Sequence, residues 1–332
     1  MRIGDVALPT GAAGVTEAEL AAGVRAWVDS PPLRALVDRF GGDWPAGDLA
    51  DVLAGLDEFS GRYWDFRGGR ERPEAREPTF DPGTTCLVLA AATALGLVRP
   101  AAPARPAYAH LVVLGGLAHG CLRRVAYAAH LVRNGTAVTG EVAALGSFRP
   151  LSEQERRVLA DAGVEPGETE VAALDAAVRR AFGVTGPPEE DGHDAGHPHH
   201  SWSSRTYRPA GTPPVRVLAA PSSEPGRRAH TADTQRFWAG RVRLSPGDPV
   251  LLVTAPIYVP FQHCDALRTL ALPYRCGIET VGVDPALPAL AALPEPAPTP
   301  GRYLQEIRSA IRAMRALHAA LRPTGPVGPP GP

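Results

Sequence analysis

The chain has 332 residues, 44% of them hydrophobic, with a formal net charge of −1 from 34 basic and 35 acidic side chains. That length buries one large core or two modest ones, and the balanced charge gives no field that would favour nucleic acid or an anionic membrane. Every basic residue is arginine, which excludes a Schiff-base lysine, a lysine-anchored cofactor such as pyridoxal phosphate, and a P-loop lysine.

The first hundred residues are expected to be helical. Thr16 followed by Glu19 makes a capping box ahead of the periodic run EAELAAGVRAWV, and further helices are expected over 31–40, 47–57 and 84–97. The phrase FSGRYWDFRGGRER (59–72) interleaves aromatic residues with Arg62, Arg67, Arg70 and Arg72. It is read either as a loop docking the helical region onto the rest or as a segment folding over a ligand. PAAPARPA (100–107) is too proline-rich for a regular element and reads as a linker.

From residue 108 the pattern changes to short apolar runs alternating with amphipathic stretches. Strands are expected over 110–116, 141–147, 215–220, 249–255 and 278–284. Helices are expected over 121–135, 151–162, 168–182, 230–242, 261–272 and 302–321. The stretch 184–214, rich in Pro, Gly and His, reads as a loop or partly disordered insert, and the tail 323–332 as disordered. Five strands alternating with helices imply an open, mostly parallel α/β sheet covered on both faces, over 108–322, preceded by the helical region 1–107.

In such sheets ligands bind outside the carboxyl ends of the strands. Four strand ends carry suitable residues. The first offers Gly115, Gly116, His119 and Gly120, with Arg123 in the helix behind; the second offers Gly146, Ser147 and Arg149. The third is dense in polar groups: Ser222, Ser223, Glu224, Arg227, Arg228, His230, Thr231, Asp233 and Thr234. Hydroxyls and Asp at a helix start are also ordinary caps. The fourth offers Thr254, Tyr258, Gln262 and Arg268.

Other chemistries find little support. His193, His197, His199 and His200 lie in a Gly/Pro segment whose spacing matches no metal-ligand signature, so a solvated loop is expected. Cys86, Cys121, Cys264 and Cys276 contain no C-x-x-C pair, and there is no G-x-S-x-G elbow or H-E-x-x-H helix. No basic leader precedes an apolar core at the start, and the apolar runs break well before the ~20 residues of a membrane span. A soluble, cytoplasmic protein is expected.

The order LVVLGG, a helix, a Gly-Ser turn, a helix opening on an acidic residue, a hydroxyl-rich turn and VLLVTAPIY resembles the YdcF/SanA-like family over about 110–284. The resemblance implies a Rossmann-like domain and S-adenosylmethionine as a ligand. It matches Gly115 and Gly116 to the family's glycine loop, Gly146 and Ser147 to its Ser-Gly-Gly turn, and Glu170 to an acidic residue opening a helix beside the pocket. Ser223, Thr231 and Asp233 match a Ser…Asn-Thr-x-Glu-Asn segment, in which His230 replaces Asn and Asp233 replaces Glu. Thr254 and Tyr258 match the strand end before an Arg-bearing helix, with Arg268 as the counterpart.

The function expected is an enzyme acting on a nucleotide-like or S-adenosylmethionine-like small molecule by general acid/base transfer or hydrolysis. Glu170 or Asp233 is the acid/base candidate, and Arg149, Arg227 or Arg268 holds an anionic group. The alternatives are a non-catalytic regulatory protein using the same pocket, and a scaffold. The partner expected is the small molecule, with no nucleic acid or membrane; a homo-oligomer is left open.

Overall fold

The computed structural model describes residues 4–66 and 78–321, apart from 166, 225, 294 and 296. Arg67, Arg70, Arg72 and the tail 323–332 lie outside the described residues.

Four helices open the chain: α1 (Glu17–Val28), α2 (Pro31–Arg39), α3 (Leu49–Tyr63) and α4 (Pro82–Ala94). Their starts follow from capping chemistry. Thr16 Oγ accepts the Glu19 N–H at 3.2 Å while the Glu19 carboxylate accepts the Thr16 N–H at 2.9 Å; Asp48 and Asp51 form the same box at α3, and Asp81 caps α4 by accepting the Thr84 N–H.

Beyond them come β1 (Ala107–Tyr108), β2 (His110–Leu114), α5 (Ala118–Arg133), β3 (Ala137–Val138), β4 (Val142–Gly146), α6 (Glu153–Asp161) and α7 (Glu170–Phe182). Next are β5 (Glu189–His193), β6 (Trp202–Tyr207), β7 (Val215–Ala219), α8 (Thr231–Ala239) and β8 (Pro249–Thr254). The chain closes with α9 (Val259–Ala266), a π-helical turn at Leu267–Ala271, α10 (Leu272–Tyr274), β9 (Gly277–Gly282) and α11 (Pro300–Ala320).

The main sheet has the order β5-β6-β7-β4-β2-β8-β9. Its five central and right-hand strands, β7, β4, β2, β8 and β9, are parallel, and β6 is antiparallel to both of its neighbours. Successive residues face opposite layers, as a strand requires. Val112, Leu114, Leu145, Val250 and Leu252 join a core with α8, α9, α11 and the N-terminal helices. Leu111, Val113, Val142, Leu251 and Val253 join a second core with α5, α6 and α7. Each fully buried Leu or Val contributes roughly 1.5–3 kcal/mol, so both layers are firmly held. The N-terminal helices share the first core through Leu20, Val24, Trp27, Leu36, Leu53 and Leu56, all of them fully buried.

Two expectations are corrected. The insert at 184–214 is not simply a loop: β5 and β6 form a hairpin that extends the sheet. Its strands are polar because β5 is an exposed edge and most of β6 is only half-buried, so no apolar run marks them. Tyr207 anchors the hairpin, donating its buried hydroxyl to Asp175 at 2.5 Å. The end of the linker, Ala107–Tyr108, pairs in parallel with Ala137–Val138 as a separate two-stranded sheet. Among the described residues no helix is long and apolar enough to cross a membrane.

Candidate functional site

The carboxyl ends of β2, β4 and β8 open into a cavity of about 540 Å³. Glycine shapes its floor. A Cβ on Gly115 would lie 2.6 Å from both Glu170 Oε1 and the Leu145 carbonyl oxygen, and one on Gly146 would lie 2.6 Å from Leu174 Cδ1. Bare backbone at both strand ends therefore lets α7 approach and sets the carboxyl of its first residue, Glu170, between them.

Glu170 is only 8% exposed. Its Oε2 accepts the Ser147 hydroxyl at 2.7 Å and the Ser147 N–H at 3.2 Å. Burial pushes its pKa above the ordinary glutamate value, and it outweighs the opposing pull of Arg149, Arg228 and Ser147. Because Oε2 is already an acceptor twice over, a proton on this carboxyl belongs on Oε1, the oxygen beside Gly115.

Two arginines brace the glycine loop from behind. Arg124 donates to the Leu114 carbonyl at 2.7 Å and to that of Gly115, and Arg149 donates to the Gly116 carbonyl at 2.9 Å. Arg149 also grips Glu155 at 2.7 and 2.9 Å, while Glu155 accepts the Ala118 N–H at 3.0 Å. Burial opposes ionisation of Glu155, but Arg149 and the N–H groups of Ser152 and Ala118 outweigh it and hold its carboxyl down at about 2. Arg124 is different. It is 3% exposed, lines the cavity, leaves Nε without a hydrogen bond and, among the described residues, forms no ion pair.

The first turns of four helices reach this cavity: Leu117, His119 and Gly120 at α5, Glu170 at α7, His230 and Thr231 at α8, and Thr299 and Arg302 at α11. Helix N-termini carry partial positive charge and unpaired N–H groups, so their convergence favours an anion. Four arginines, Arg124, Arg149, Arg228 and Arg302, line it with two carboxylates, Glu170 and Glu295, while Glu155 and Glu306 behind the lining face Arg149 and Arg302. Glu295 pairs with Arg123 at 3.2 Å and lies 3.6 Å from His119. Burial of Glu295 works against its charge, but His119, Arg124 and Arg123 prevail and lower its pKa.

Fourteen of the residues expected from the sequence line the cavity: Gly115, Gly116, His119, Gly120, Gly146, Ser147, Arg149, Glu170, Arg228, His230, Thr231, Thr234, Tyr258 and Gln262. Others stand behind it. Asp233 is 4% exposed and serves the start of α8, accepting the Ser223 hydroxyl at 2.6 Å and the His230 N–H at 3.0 Å. Ser222 bonds to the Glu224 carbonyl, Arg227 pairs with Glu224, Arg268 pairs with Asp265 at 3.0 Å, and Arg123 pairs with Glu295. Thr254 donates its hydroxyl to Gln262 Oε1, which leaves the amide NH₂ of Gln262 as the donor end at the cavity.

Arg124, Glu295, Thr299 and Arg302 escaped the sequence reading. Gly120 and Arg124 lie one helical turn apart, a spacing that could have singled out Arg124 over its neighbour. Nothing local points to Arg302, which arrives from α11 well beyond the last strand.

A larger depression of about 900 Å³ lies on the other side of the loop 147–150, against the hairpin. Phe148 and Pro150 face it while Ser147 and Arg149 face the cavity. It is walled by exposed hairpin residues, including His193 and His197, and lacks a buried ionisable group, so the smaller cavity is the candidate site. Among the described residues no group of three or more His, Cys, Asp or Glu is placed to hold a metal ion.

Residues 11–96, the helical region, match the family described as the Rv3785 N-terminal domain. The Mycobacterium tuberculosis protein Rv3785, described as uncharacterized, is 34% identical over 327 aligned residues covering 87% of each chain. The Mycobacterium bovis protein Mb3814 matches to the same extent. No solved structure matches. These findings overturn the resemblance to the YdcF/SanA-like family. It rested on short motifs at strands and strand ends, where any parallel sheet needs apolar runs, glycines and helix caps, and it left the N-terminal helices without a counterpart. The chain belongs to the family of mycobacterial Rv3785.

Proposed function

We propose that this protein is a cytoplasmic enzyme of Rossmann-like fold that binds a phosphorylated, nucleotide-like small molecule and acts on it with Glu170 as general acid or base. Arg124 carries this reading. Among the described residues Arg124 forms no ion pair of its own, and Glu295, on which its charge acts, is paired with Arg123; an anionic ligand in the adjoining cavity would add counter-charge to this buried cation. The converging helix starts support the same sign of ligand. An arginine-lined cavity also suits a phosphate better than the sulfonium of S-adenosylmethionine.

The Rossmann-like assignment is supported by the order of the parallel strands. Numbered along the chain they run 3-2-1-4-5, with the reversal between β2 and β8, where the cavity opens. Four unpaired cysteines, three of them buried, suit a reducing compartment.

In the reaction, Ser147 fixes Glu170 through Oε2, and Oε1 exchanges the proton. A neutral carboxyl does not repel a phosphate and can protonate a leaving oxygen; its conjugate base can take a proton from water or an acceptor hydroxyl. The test is thermal-shift screening of nucleotides followed by product analysis on each stabilising compound. Glu170→Gln should retain stabilisation and abolish turnover. Undiminished turnover in that variant would remove Glu170 from the role.

A further inference from the structure

Two of the cavity's arginines reach it from opposite sides of the sheet: Arg124 from α5, in one helical layer, and Arg302 from α11, in the other. Tyr258 lies close to both. The guanidinium carbon of Arg124 is 5.5 Å from its ring centroid and that of Arg302 is 5.8 Å, so the two cations are no further apart than those distances together. Arg302 is aimed by two contacts. It donates to the Tyr258 hydroxyl, and its Nε lies 3.4 Å from the fully buried carboxylate of Glu306 one turn along α11.

We infer that the ligand carries two adjacent anionic groups, a diphosphate-type moiety bridging Arg124 and Arg302 across Tyr258. This rests on the proposed anion-binding role of the cavity and adds the number of charged groups. A single phosphate placed against Arg124 and the Gly115–Gly116 loop lies at the starts of α5 and α7 and leaves Arg302 unengaged. The second group reaches Arg302 and the start of α11, where Thr299 already bonds the Arg302 N–H at 3.2 Å. Arginine suits both positions because its planar fork pairs with phosphate oxygens two at a time. Of the two carboxylates at the cavity, Glu295 is engaged with Arg123, and Glu170 is biased toward its neutral form, so neither displaces the ligand's charge. Arg302 is thereby the residue that distinguishes a diphosphate from a monophosphate.

Calorimetric titration of the whole chain with inorganic pyrophosphate and with orthophosphate tests this. Pyrophosphate should bind at least about tenfold more tightly, an advantage expected from one added bidentate arginine contact. Arg302→Lys preserves the charge facing Glu306 while losing the fork; it should bring the ratio close to one and leave orthophosphate affinity nearly unchanged. Tyr258→Phe, which frees Arg302 without touching Glu306, should shrink the ratio too and serves if the lysine variant fails to fold. Arg124→Met should weaken both ions. Equal affinity for the two ions, or an equal loss of both in the Arg302 and Tyr258 variants, overturns the diphosphate inference alone when orthophosphate still binds through Arg124. If neither ion binds the wild-type chain, the anion-binding reading falls with it.

Discussion

Gly115 and Glu170 share one small space: a Cβ on Gly115 would sit 2.6 Å from Glu170 Oε1. A backbone carbonyl, that of Leu145, closes the same space from the other side at 2.6 Å, so the added atom could not be accommodated by a side-chain rotation. Gly115→Ala should therefore displace α7 or the glycine loop. We expect a stability loss of about 1–3 kcal/mol, as for overpacking in general, together with loss of ligand binding. Urea unfolding and a binding titration on the same preparation check both; an alanine variant that binds normally would show that the carboxyl need not stand there.

The raised pKa of Glu170 gives a signed pH dependence. Its folded-state value lies above the unfolded one, so between the two values the folded chain holds the extra proton. This group's contribution to stability is then lost as pH rises from about 4.3, the ordinary glutamate value, to the folded pKa. Glu170→Gln keeps the Ser147 hydrogen bonds and removes the titration. The difference in unfolding free energy, variant minus wild type, should grow with pH across that window and level off above it. A difference independent of pH would mean that the carboxyl ionises normally despite its burial.

Asp233 should matter to the fold and not to the chemical step. Both of its oxygens serve the start of α8, with Ser223 and the His230 N–H as donors. Asp233→Ala should cost about 0.5–2 kcal/mol of stability, the usual range for a lost cap, and should leave the chemical step intact once the protein is saturated with ligand. Turnover at saturation compared with thermal unfolding separates the two effects. An abolished rate in a folded variant would return Asp233 to the acid/base role.

The hairpin rests on Tyr207, whose buried hydroxyl meets Asp175 at 2.5 Å. Tyr207→Phe leaves that carboxylate with Arg179 and Arg205 alone and should cost about 1–3 kcal/mol. Amide hydrogen exchange should then accelerate in β5 and β6 ahead of β4 and β2. Uniform acceleration would mean that the hairpin opens only with the whole sheet.

How legible this architecture is in the sequence depends on whether a segment announces itself through burial. The five parallel strands are buried on both faces, so HLVVL and PVLLVT show as apolar runs. The hairpin strands EEDGH and WSSRTY lie at an edge and carry no such run. The same distinction holds at the site. Gly115, Gly146 and Glu170 sit at strand and helix ends, where local sequence predicts position. Arg124 is one of two adjacent arginines on a helix, and the rotation that points it, rather than Arg123, toward the strand ends is set by packing. Arg302 depends on how α11 returns across the sheet, which no short stretch of sequence encodes. Family resemblance misled for a related reason: short strand-end motifs report the kind of fold and do not identify a lineage.

Under the proposed function Arg124 needs a negatively charged ligand in the cavity. Isothermal titration of the chain with a panel of nucleoside diphosphates and the matching unphosphorylated nucleosides measures that need. Binding of a diphosphate, no binding of its nucleoside, and loss of the diphosphate signal in a folded Arg124→Met variant are the predicted results. A nucleoside that binds as well as its diphosphate, or a diphosphate whose affinity survives the loss of Arg124, would contradict the claim.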